Sequence, residues 1–448
     1  MRFIYEKPTM NSAAGPVREQ RTWFGHPPGL SVLFLTQMWA EFSFFGLQAL
    51  LVYYMTQRLQ LPQPTASLVY GIYVGSAYFS PLLGGFLADR VLGRTRGVIV
   101  GGLLMMLGHF AMAFEPLLFP ALALVALGNG LFIPPLAVQI GGLYGEGDPR
   151  RAQAFSLYYM GTNLGGLLAP IICGTLGETL GWHWGFAAAG VGMLIGLLIF
   201  YGFRVHLPPD PAIQPLTGGE KAHLSIKDRS ALRLLLAVGL IVVLFRIGYE
   251  QSGNIIALWI DGQTDRHIQL FGHSLEIPAT WFQSINPLLI IVLTPFLMRF
   301  WGKRDARIGA RDLLHRMAFG CAIATVASLV MVGAAWSHSS SGLPVSPWWI
   351  VAYFVALTLG ELHVLPVGLS LFGTIAPLQL ASVVMGAWYI AKFLGGLLAG
   401  VMGTLWLRIP PEAFFGIGAV ATLLASAALY WLSHERLRRE AARQAAQT

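Results

Sequence analysis

The chain has 448 residues, of which 55% are hydrophobic and 11% are charged, and its formal net charge is +8. Soluble domains contain about a quarter charged residues, so this composition argues against a soluble protein and favours one embedded in a lipid bilayer. The basic residues are scattered between apolar segments, without an aromatic-interleaved basic block, so the positive charge does not indicate nucleic-acid binding.

Twelve apolar stretches have the roughly 20 residues that a membrane-spanning helix requires. A polar tail, residues 1–29, precedes them, and its lack of an apolar segment argues against a cleaved signal peptide. The longest break, residues 204–230, is rich in Pro, Gly and charge and predicts a cytoplasmic linker between six-helix bundles at 30–203 and 231–433, with a C-terminal tail at 434–448. We therefore predict an all-α membrane protein with spans at 30–57, 65–88, 97–115, 119–143, 152–176, 182–203, 231–260, 278–300, 312–336, 347–373, 378–406 and 412–433.

The basic residues predict how these helices are oriented. If the N-terminus is cytoplasmic, only Arg58, Arg266 and Arg408 fall in loops on the opposite side, and nearly all of the other Lys and Arg residues fall on the cytoplasmic side. Because basic loops stay in the cytoplasm, this asymmetry predicts that both termini are cytoplasmic.

Five charged side chains lie well inside the predicted spans, away from the span ends: Glu41, Arg246, Glu250, Glu361 and Lys392. An ionised side chain at bilayer depth costs about 2.5–3.5 kcal/mol on insertion scales, so such residues usually face a water-filled path. The sequence has no Gly-rich phosphate loop ending in Gly-Lys-Ser/Thr, no metal-ligand spacing and no nucleophile elbow. We therefore expect a secondary transporter without a cofactor or metal, and not an enzyme.

The loop between the second and third spans has the sequence GGFLADRVLGRTR, from Gly84 to Arg96. Its Asp89, Arg90 and Arg94 suit a charge clasp that breaks and re-forms as helices slide. The loop resembles the loop motif of the major facilitator superfamily, and a faint repeat of it follows the eighth span. The resemblance implies 12 transmembrane helices in two six-helix bundles, with a substrate site between the bundles near the midplane of the membrane.

Longer motifs resemble one family within this superfamily. The first span, from Met38 to Met55, matches the first helix of the proton-dependent oligopeptide transporters in frame, and the resemblance extends over residues 30–430. It implies a protein of the bacterial inner membrane. Five further segments carry it: Gly145–Pro170, Phe245–Gly253, Ile277–Ile291, Gly360–Ser370 and Gly386–Gly400.

The family resemblance also implies a set of binding residues. Glu361 would meet the amino group of a peptide, and Asn163 and Asn286 would bond its backbone. A carboxylate pairs with an ammonium group, and amides match the donors and acceptors of a peptide. Glu250 would form part of the outer gate. The remaining predicted binding residues are two aromatic side chains and one amide, namely Tyr78, Trp388 and Gln283.

The first half of the chain departs from the family pattern. At the family's two acids and first arginine of helix 1 stand Gln37, Ala40 and Glu41, and at a later arginine stands Gln48. The lysine of the fourth helix is replaced by Ile133. Because the missing residues serve proton coupling and hold the peptide carboxylate, we expect altered or absent proton coupling. Gln37, Glu41 and Gln48 share one face of a helix with Phe44, and that stripe predicts either a pocket lining or an interhelical hydrogen-bond seam.

New charges stand in the second half of the chain. Arg246 replaces a tryptophan of the family and lies one helical turn from Glu250, so it predicts either a pocket cation or a structural ion pair. Lys392 occupies a small or hydroxyl binding position of the family, one turn after Trp388. We expect Lys392 and Glu361 to face one cavity and to pair with each other in the empty protein.

Three functions remain open at this point. The first is secondary transport of di- and tripeptides or peptide-like solutes, with protons as a candidate coupling ion. The second is transport or export of another zwitterionic or anionic amino-acid-derived metabolite, such as a metal chelator, with carboxylates held by Lys392 and Arg246. The third is a membrane sensor on the same fold that transports nothing. In each case we expect a monomer in the bilayer that binds a small solute.

Overall fold

The computed structural model describes residues 25–145, 148–210, 226–270, 273–302, 310–376 and 380–445. Most of the predicted N-terminal tail, the central part of the predicted linker and the last three residues of the chain lie outside these ranges. Of the predicted tails and linker, the structure describes residues 25–29, 204–210, 226–230 and 434–445. α7 begins at Ile226, so the predicted linker ends earlier than residue 230. The last helix continues through residues 434–445 of the predicted C-terminal tail.

Each of the 12 predicted spans coincides with helical structure, which confirms the all-α fold. The helices are α1 Pro28–Tyr53, α2 Gln63–Leu87, α3 Arg94–Ala111, α4 Leu118–Gly141, α5 Arg150–Leu180, α6 Trp182–Phe203, α7 Ile226–Tyr249, α8 Ile255–Gln263, α9 Ile285–Gly302, α10 Ala310–Ser341, α11 Trp348–Ile375, α12 Ala381–Gly403 and α13 Pro411–Ala445. Within the described residues, 11 helical segments are long and apolar enough to cross a membrane, with α7 and α8 counted as one. The segment that falls short is α3, because it begins with two arginines and is only 18 residues long.

The helix contacts repeat between the two halves of the chain. In the first half, α1 packs on α5 and α6, α3 packs on α4 and α6, and α2 packs on α4. In the second half, α7 packs on α12 and α13, α10 packs on α11 and α13, and α9 packs on α11. The same contacts therefore recur in the same order, as expected for two six-helix bundles built from one repeat.

The seventh predicted span is broken rather than continuous. α7 ends at Tyr249, a single 3₁₀ turn follows at Glu250–Gly253, and α8 begins at Ile255. Between them Asn254 has φ −113° and ψ −94°, outside the helical region. Its side-chain Oδ1 accepts a hydrogen bond of 2.8 Å from Ser67 of α2, and Gly253 packs so closely on the hydroxyl of Tyr70 that a Cβ would collide with it. Contacts with the other half therefore stabilise a break that hydropathy does not reveal.

A two-stranded hairpin precedes α9 and was not predicted. β1, His267–Leu270, pairs antiparallel with β2, His273–Glu276, with His267 opposite Glu276. Strands of four residues are too short to show a clear alternation of apolar and polar residues, so the segment looked like a loop.

The two bundles contact each other along two helix pairs, α2 with α12 and α5 with α9. Glycines let α2 and α12 approach closely. A Cβ on Gly71 would lie 2.5 Å from the Cα of Gly400, and a Cβ on Gly396 would lie 3.0 Å from the backbone nitrogen of Gly75. Small residues permit such backbone contact between membrane helices.

Candidate functional site

A cavity of about 490 Å³ lies between the two bundles. Side chains from α1, α2, α4 and α5 line it on one side, and side chains from α7, α9, α11 and α12 line it on the other. Its volume is in the range of small-molecule sites. Ten of the predicted binding side chains line it, together with the predicted gate residue Glu250; the ten are Glu41, Gln48, Tyr78, Asn163, Arg246, Gln283, Asn286, Glu361, Trp388 and Lys392.

Glu361 is buried and is held by two hydrogen bonds. The hydroxyl of Tyr249 on α7 donates to its Oε1 at 3.1 Å, and the amide Nδ2 of Asn286 on α9 donates to its Oε2 at 2.8 Å. The same Nδ2 lies 2.9 Å from the hydroxyl of Thr358. Asn286 therefore orients the carboxylate, and its own donor is already used before any substrate arrives.

The expected ion pair between Lys392 and Glu361 is wrong for this state. Among the residues that the structure describes, no carboxylate lies within 4 Å of the Lys392 ammonium. Lys392 Nζ instead lies 4.4 Å from the ring centroid of Tyr78 and 5.7 Å from that of Tyr389, in cation–π range. Each oxygen of Glu361 instead accepts one hydrogen bond, from Tyr249 and from Asn286, and the lysine remains available in the cavity.

Arg246 forms an ion pair with Glu250, one turn further along the chain, and both side chains are almost wholly buried. Of the two roles that the sequence allowed for Arg246, a pocket cation or a structural ion pair, this contact is the ion pair. The guanidinium also lies 4.8 Å from the ring centroid of Tyr78 and 4.9 Å from that of Tyr249. Arg246 and Lys392 thus lie beside the same aromatic ring, but only Lys392 is without an anionic partner among the described side chains.

The polar stripe on α1 divides into two parts. Gln37 is buried and is not among the side chains that line the cavity, so its direct binding of substrate remains a prediction. Its Oε1 accepts a hydrogen bond of 2.6 Å from the hydroxyl of Tyr158, and its Nε2 donates to Glu41 Oε1 at 2.6 Å and to Thr162 at 3.3 Å. Glu41, Phe44 and Gln48 do line the cavity. The stripe is therefore a hydrogen-bond seam at Gln37 and a pocket lining beyond it.

The remaining predicted residues form walls of the cavity. Asn163 donates to the carbonyl of Tyr159 at 2.9 Å, and Gln283 donates to the carbonyl of Ala49 at 3.2 Å. The Trp388 ring packs edge-on against Phe372 with centroids 5.1 Å apart. These contacts place the side chains at the cavity, and their part in binding remains a prediction.

Sequence reasoning missed several lining residues. Tyr249 holds Glu361, and its signal was its position three residues after Arg246, on the same helical face. Tyr389, Tyr159 and Thr162 also line the cavity, but nothing in their local sequence separates them from packing residues. Within the described residues, no group of three or more His, Cys, Asp and Glu side chains could hold a metal ion.

The predicted charge clasp lies outside the cavity lining. Asp89 and Arg90 belong to the turn after α2, and Arg94 begins α3, with its Nε 3.4 Å from the exposed Asp89 Oδ1. Asp210 caps the start of α3, because its carboxylate accepts from the backbone nitrogen of Thr95 at 3.0 Å and from its hydroxyl at 2.9 Å. The role of the clasp in gating remains a prediction.

The bundles are joined at the end that carries the α1–α2, α5–α6 and α8–α9 connections, which we call the closed end. Glu178 of α5 accepts hydrogen bonds from the backbone nitrogens of Ala279 and Thr280, both at 2.9 Å, and from the Thr280 hydroxyl at 2.6 Å. Arg266 lies beside this carboxylate at 4.0 Å and also pairs with Glu276 at 2.7 Å. A carboxylate of one bundle thus caps the helical turn of the other.

A second set of contacts at the closed end joins α1 and the turn that follows it to α8. The side-chain amide of Gln57 donates to Asp261 at 2.6 Å, and the hydroxyl of Tyr53 donates to the carbonyl of Ala257 at 2.9 Å. Polar contacts therefore join the two bundles at this end at several points.

Comparisons with known proteins agree with this architecture. Residues 33–400 match the Major Facilitator Superfamily. The chain is 35% identical to a peptide transporter of Yersinia enterocolitica, over 86% of this chain and 88% of that protein. It is 29% identical to a di-/tripeptide transporter of Lactococcus lactis, over 91% and 95% of the two chains. A crystal structure of a POT peptide transporter in complex with sulfate superposes with a TM-score of 0.85 at 30% identity, covering 93% of this chain and 96% of that chain.

Proposed function

The chain belongs to the major facilitator superfamily and, within it, to the POT family of peptide transporters, and we propose on this premise that it carries di- and tripeptides or similar small solutes across the membrane by alternating access. The observation that supports this most is the presence of an acidic and a basic side chain, not paired with each other, in one cavity between the bundles. Glu361 is an oriented carboxylate, and Lys392 is a cation with no anionic partner among the described side chains.

The two charges match the two ends of a peptide. The peptide ammonium would bind Glu361 and the peptide carboxylate would bind Lys392, since both side chains line the cavity. Charge-assisted hydrogen bonds of this kind are about twice as strong as neutral ones. Asn163 and Gln283 would form hydrogen bonds with the peptide bond of the substrate. The rings of Tyr78 and Trp388 would contact substrate side chains of varied size.

Transport requires the closed end to open while the opposite end closes. The bonds of Glu178 to Ala279 and Thr280, and of Gln57 to Asp261, would break in that step, and the paired glycines of α2 and α12 would allow the bundles to rock. Glu250 is buried in its pair with Arg246 near the break between α7 and α8, where it suits the predicted role in gating.

Proton coupling would be weak or differently arranged. Gln37 stands where the family has an acid, and its amide is committed to Tyr158 and Glu41. The cavity also has Ile133 in place of the family's lysine. Glu41 is thus the one acid that α1 contributes to the lining.

The membrane placement follows from the same premise. We propose the bacterial inner membrane as the location, both termini in the cytoplasm, and a monomeric transporter. The closed end would then face away from the cytoplasm, and the cavity would exchange with the cytoplasmic side in the state that the structure describes.

The alternative substrate, an anionic metabolite held by two cations, is less well supported. Arg246 is paired with Glu250, so it would have to leave that partner before binding a carboxylate. Breaking a buried ion pair costs about 3–5 kcal/mol, which a weakly held metabolite could not offset.

The test is uptake of radiolabelled Ala-Ala into proteoliposomes, competed by di- and tripeptides and by free amino acids. We expect saturable uptake and competition by the peptides. Thermal shift with the same compounds measures binding independently, because a ligand of the folded state raises its melting temperature. Binding without uptake would favour the sensor, and competition restricted to non-peptide chelators would favour the alternative carrier.

A further inference from the structure

The charges that line the cavity do not balance. Arg246 and Glu250 neutralise each other, which leaves Glu41 and Glu361 as acids and Lys392 as the base. None of these three makes an ion pair within 4 Å with another described side chain. Outside the Arg246–Glu250 pair the cavity therefore has two acidic side chains and one basic one, and a carboxylate away from bulk water is stabilised by a cation beside it.

Glu41 is held in a fixed orientation. The Tyr158 hydroxyl donates to Gln37 Oε1, which forces the Gln37 amide nitrogen to face Glu41. Glu41 Oε1 accepts that bond at 2.6 Å, and no hydrogen bond from a described residue reaches Oε2. Gln37 is therefore a positioning residue for a carboxylate whose second oxygen remains available to a ligand in the cavity.

The two acids belong to opposite bundles. Glu361 is on α11 and Glu41 is on α1, while Lys392 is on α12. Because the amino terminus and carboxylate of a peptide are assigned to Glu361 and Lys392, Glu41 has no counterpart in a neutral dipeptide. A simple zwitterion would leave this carboxylate without a cation from the substrate.

We propose that Glu41 is a specificity-determining residue that binds a second cationic group of the substrate. The preferred substrate is then a di- or tripeptide with one carboxylate and two cations, such as a peptide with a lysine or arginine side chain. This inference rests on the proposed function, because it takes the two peptide termini as already placed. Charge complementarity of this kind selects among ligands that otherwise fit equally well.

The test compares two peptides that differ only in the side-chain charge. Binding of Ala-Lys and of Ala-Lys with an acetylated side chain is measured on the full-length protein in detergent or nanodiscs, and the ratio of the two dissociation constants is the readout. In the parent protein we expect Ala-Lys to bind at least about tenfold more tightly, as expected for one charge-assisted hydrogen bond. In Glu41→Gln the ratio should fall to near one.

Two further variants separate specificity from folding and from general binding. Glu41→Asp keeps the charge, so it should retain part of the preference even where Glu41→Gln is unstable. Lys392→Ser should weaken binding of both peptides by the same factor and leave the ratio unchanged, because both carry the same terminal carboxylate.

The outcomes distinguish this inference from the proposed function. Binding of both peptides with a ratio near one in the parent, or a ratio that survives Glu41→Gln, overturns the role of Glu41 and leaves peptide transport standing. A Glu41→Gln protein that loses the pH dependence of uptake but keeps the ratio would identify Glu41 as a proton site and also overturn it. Binding of no peptide at all would overturn both proposals.

Discussion

The cap that Glu178 places on the opposite bundle should control which state the transporter occupies. Its carboxylate accepts three hydrogen bonds from Ala279 and Thr280. In Glu178→Gln one acceptor oxygen becomes an NH₂ group, so at least one backbone N–H loses its partner and the others lose the charge. A hydrogen bond to a charged group contributes about 1.5–3 kcal/mol, and each 1.4 kcal/mol is a factor of about ten. The equilibrium should therefore shift by about tenfold to a hundredfold towards opening of the closed end.

Spin-label distance measurements can detect this shift. Labels at His183 and Leu343 would report on opposite bundles at the closed end, because both positions are exposed and the two native cysteines are buried. Glu178→Gln should enlarge the population with long distances.

The matched control for this measurement is Glu115→Gln. Glu115 pairs with Arg58 at 2.8 Å within the first bundle, so its loss should leave the distances unchanged. Identical distributions for the parent and Glu178→Gln, or an equal shift in Glu115→Gln, would refute the reasoning.

Four other outcomes are expected. Lys392→Ser should weaken binding of Ala-Ala about tenfold to a hundredfold. It should have little effect on binding of Ala-Ala with an amidated C-terminus, because that compound has no carboxylate. An equal loss of affinity for both compounds would argue that Lys392 is a structural residue. Glu361→Gln should abolish the preference for Ala-Ala over N-acetyl-Ala-Ala, and a preference that persists would place the ammonium elsewhere. Single cysteines at Pro215 and Ser340 should label from opposite sides of the membrane, and labelling from one side would contradict the topology. An acid-outside gradient should drive little accumulation of Ala-Ala because Gln37 replaces an acid of the family, whereas strong accumulation would show that coupling resides elsewhere.

Much of the site could be predicted because charge and hydropathy are local properties of a sequence. Glu361, Lys392 and Arg246 stood out as charges within apolar stretches, and the family motifs added the neutral residues Asn163 and Trp388. All five line the same cavity. Their partners were harder to predict, because a hydrogen bond depends on distances between helices and not on spacing along one of them.

The hydrogen bonds that orient Glu361 and Glu41 show this limit most clearly, the latter through Gln37. Asn286 is 75 residues from Glu361 in the sequence, and Tyr158 is 121 residues from Gln37. The packing of α7 and α9 against α11 supplies the two hydrogen bonds to Glu361, where the sequence predicted a pair with Lys392. Likewise, only the packing of α5 on α1 buries Gln37 behind Glu41.

The sequence alone located the helical spans, because a bilayer imposes a minimum apolar length that can be counted, although α3 falls short by that measure. It also determined the family, because several long motifs occur in one order. The tertiary structure decided the break after Tyr249 and the cap on Thr280, since both arise where one bundle touches the other. Buried polar groups must find partners wherever the fold places them, and those partners come from segments that are distant in the chain.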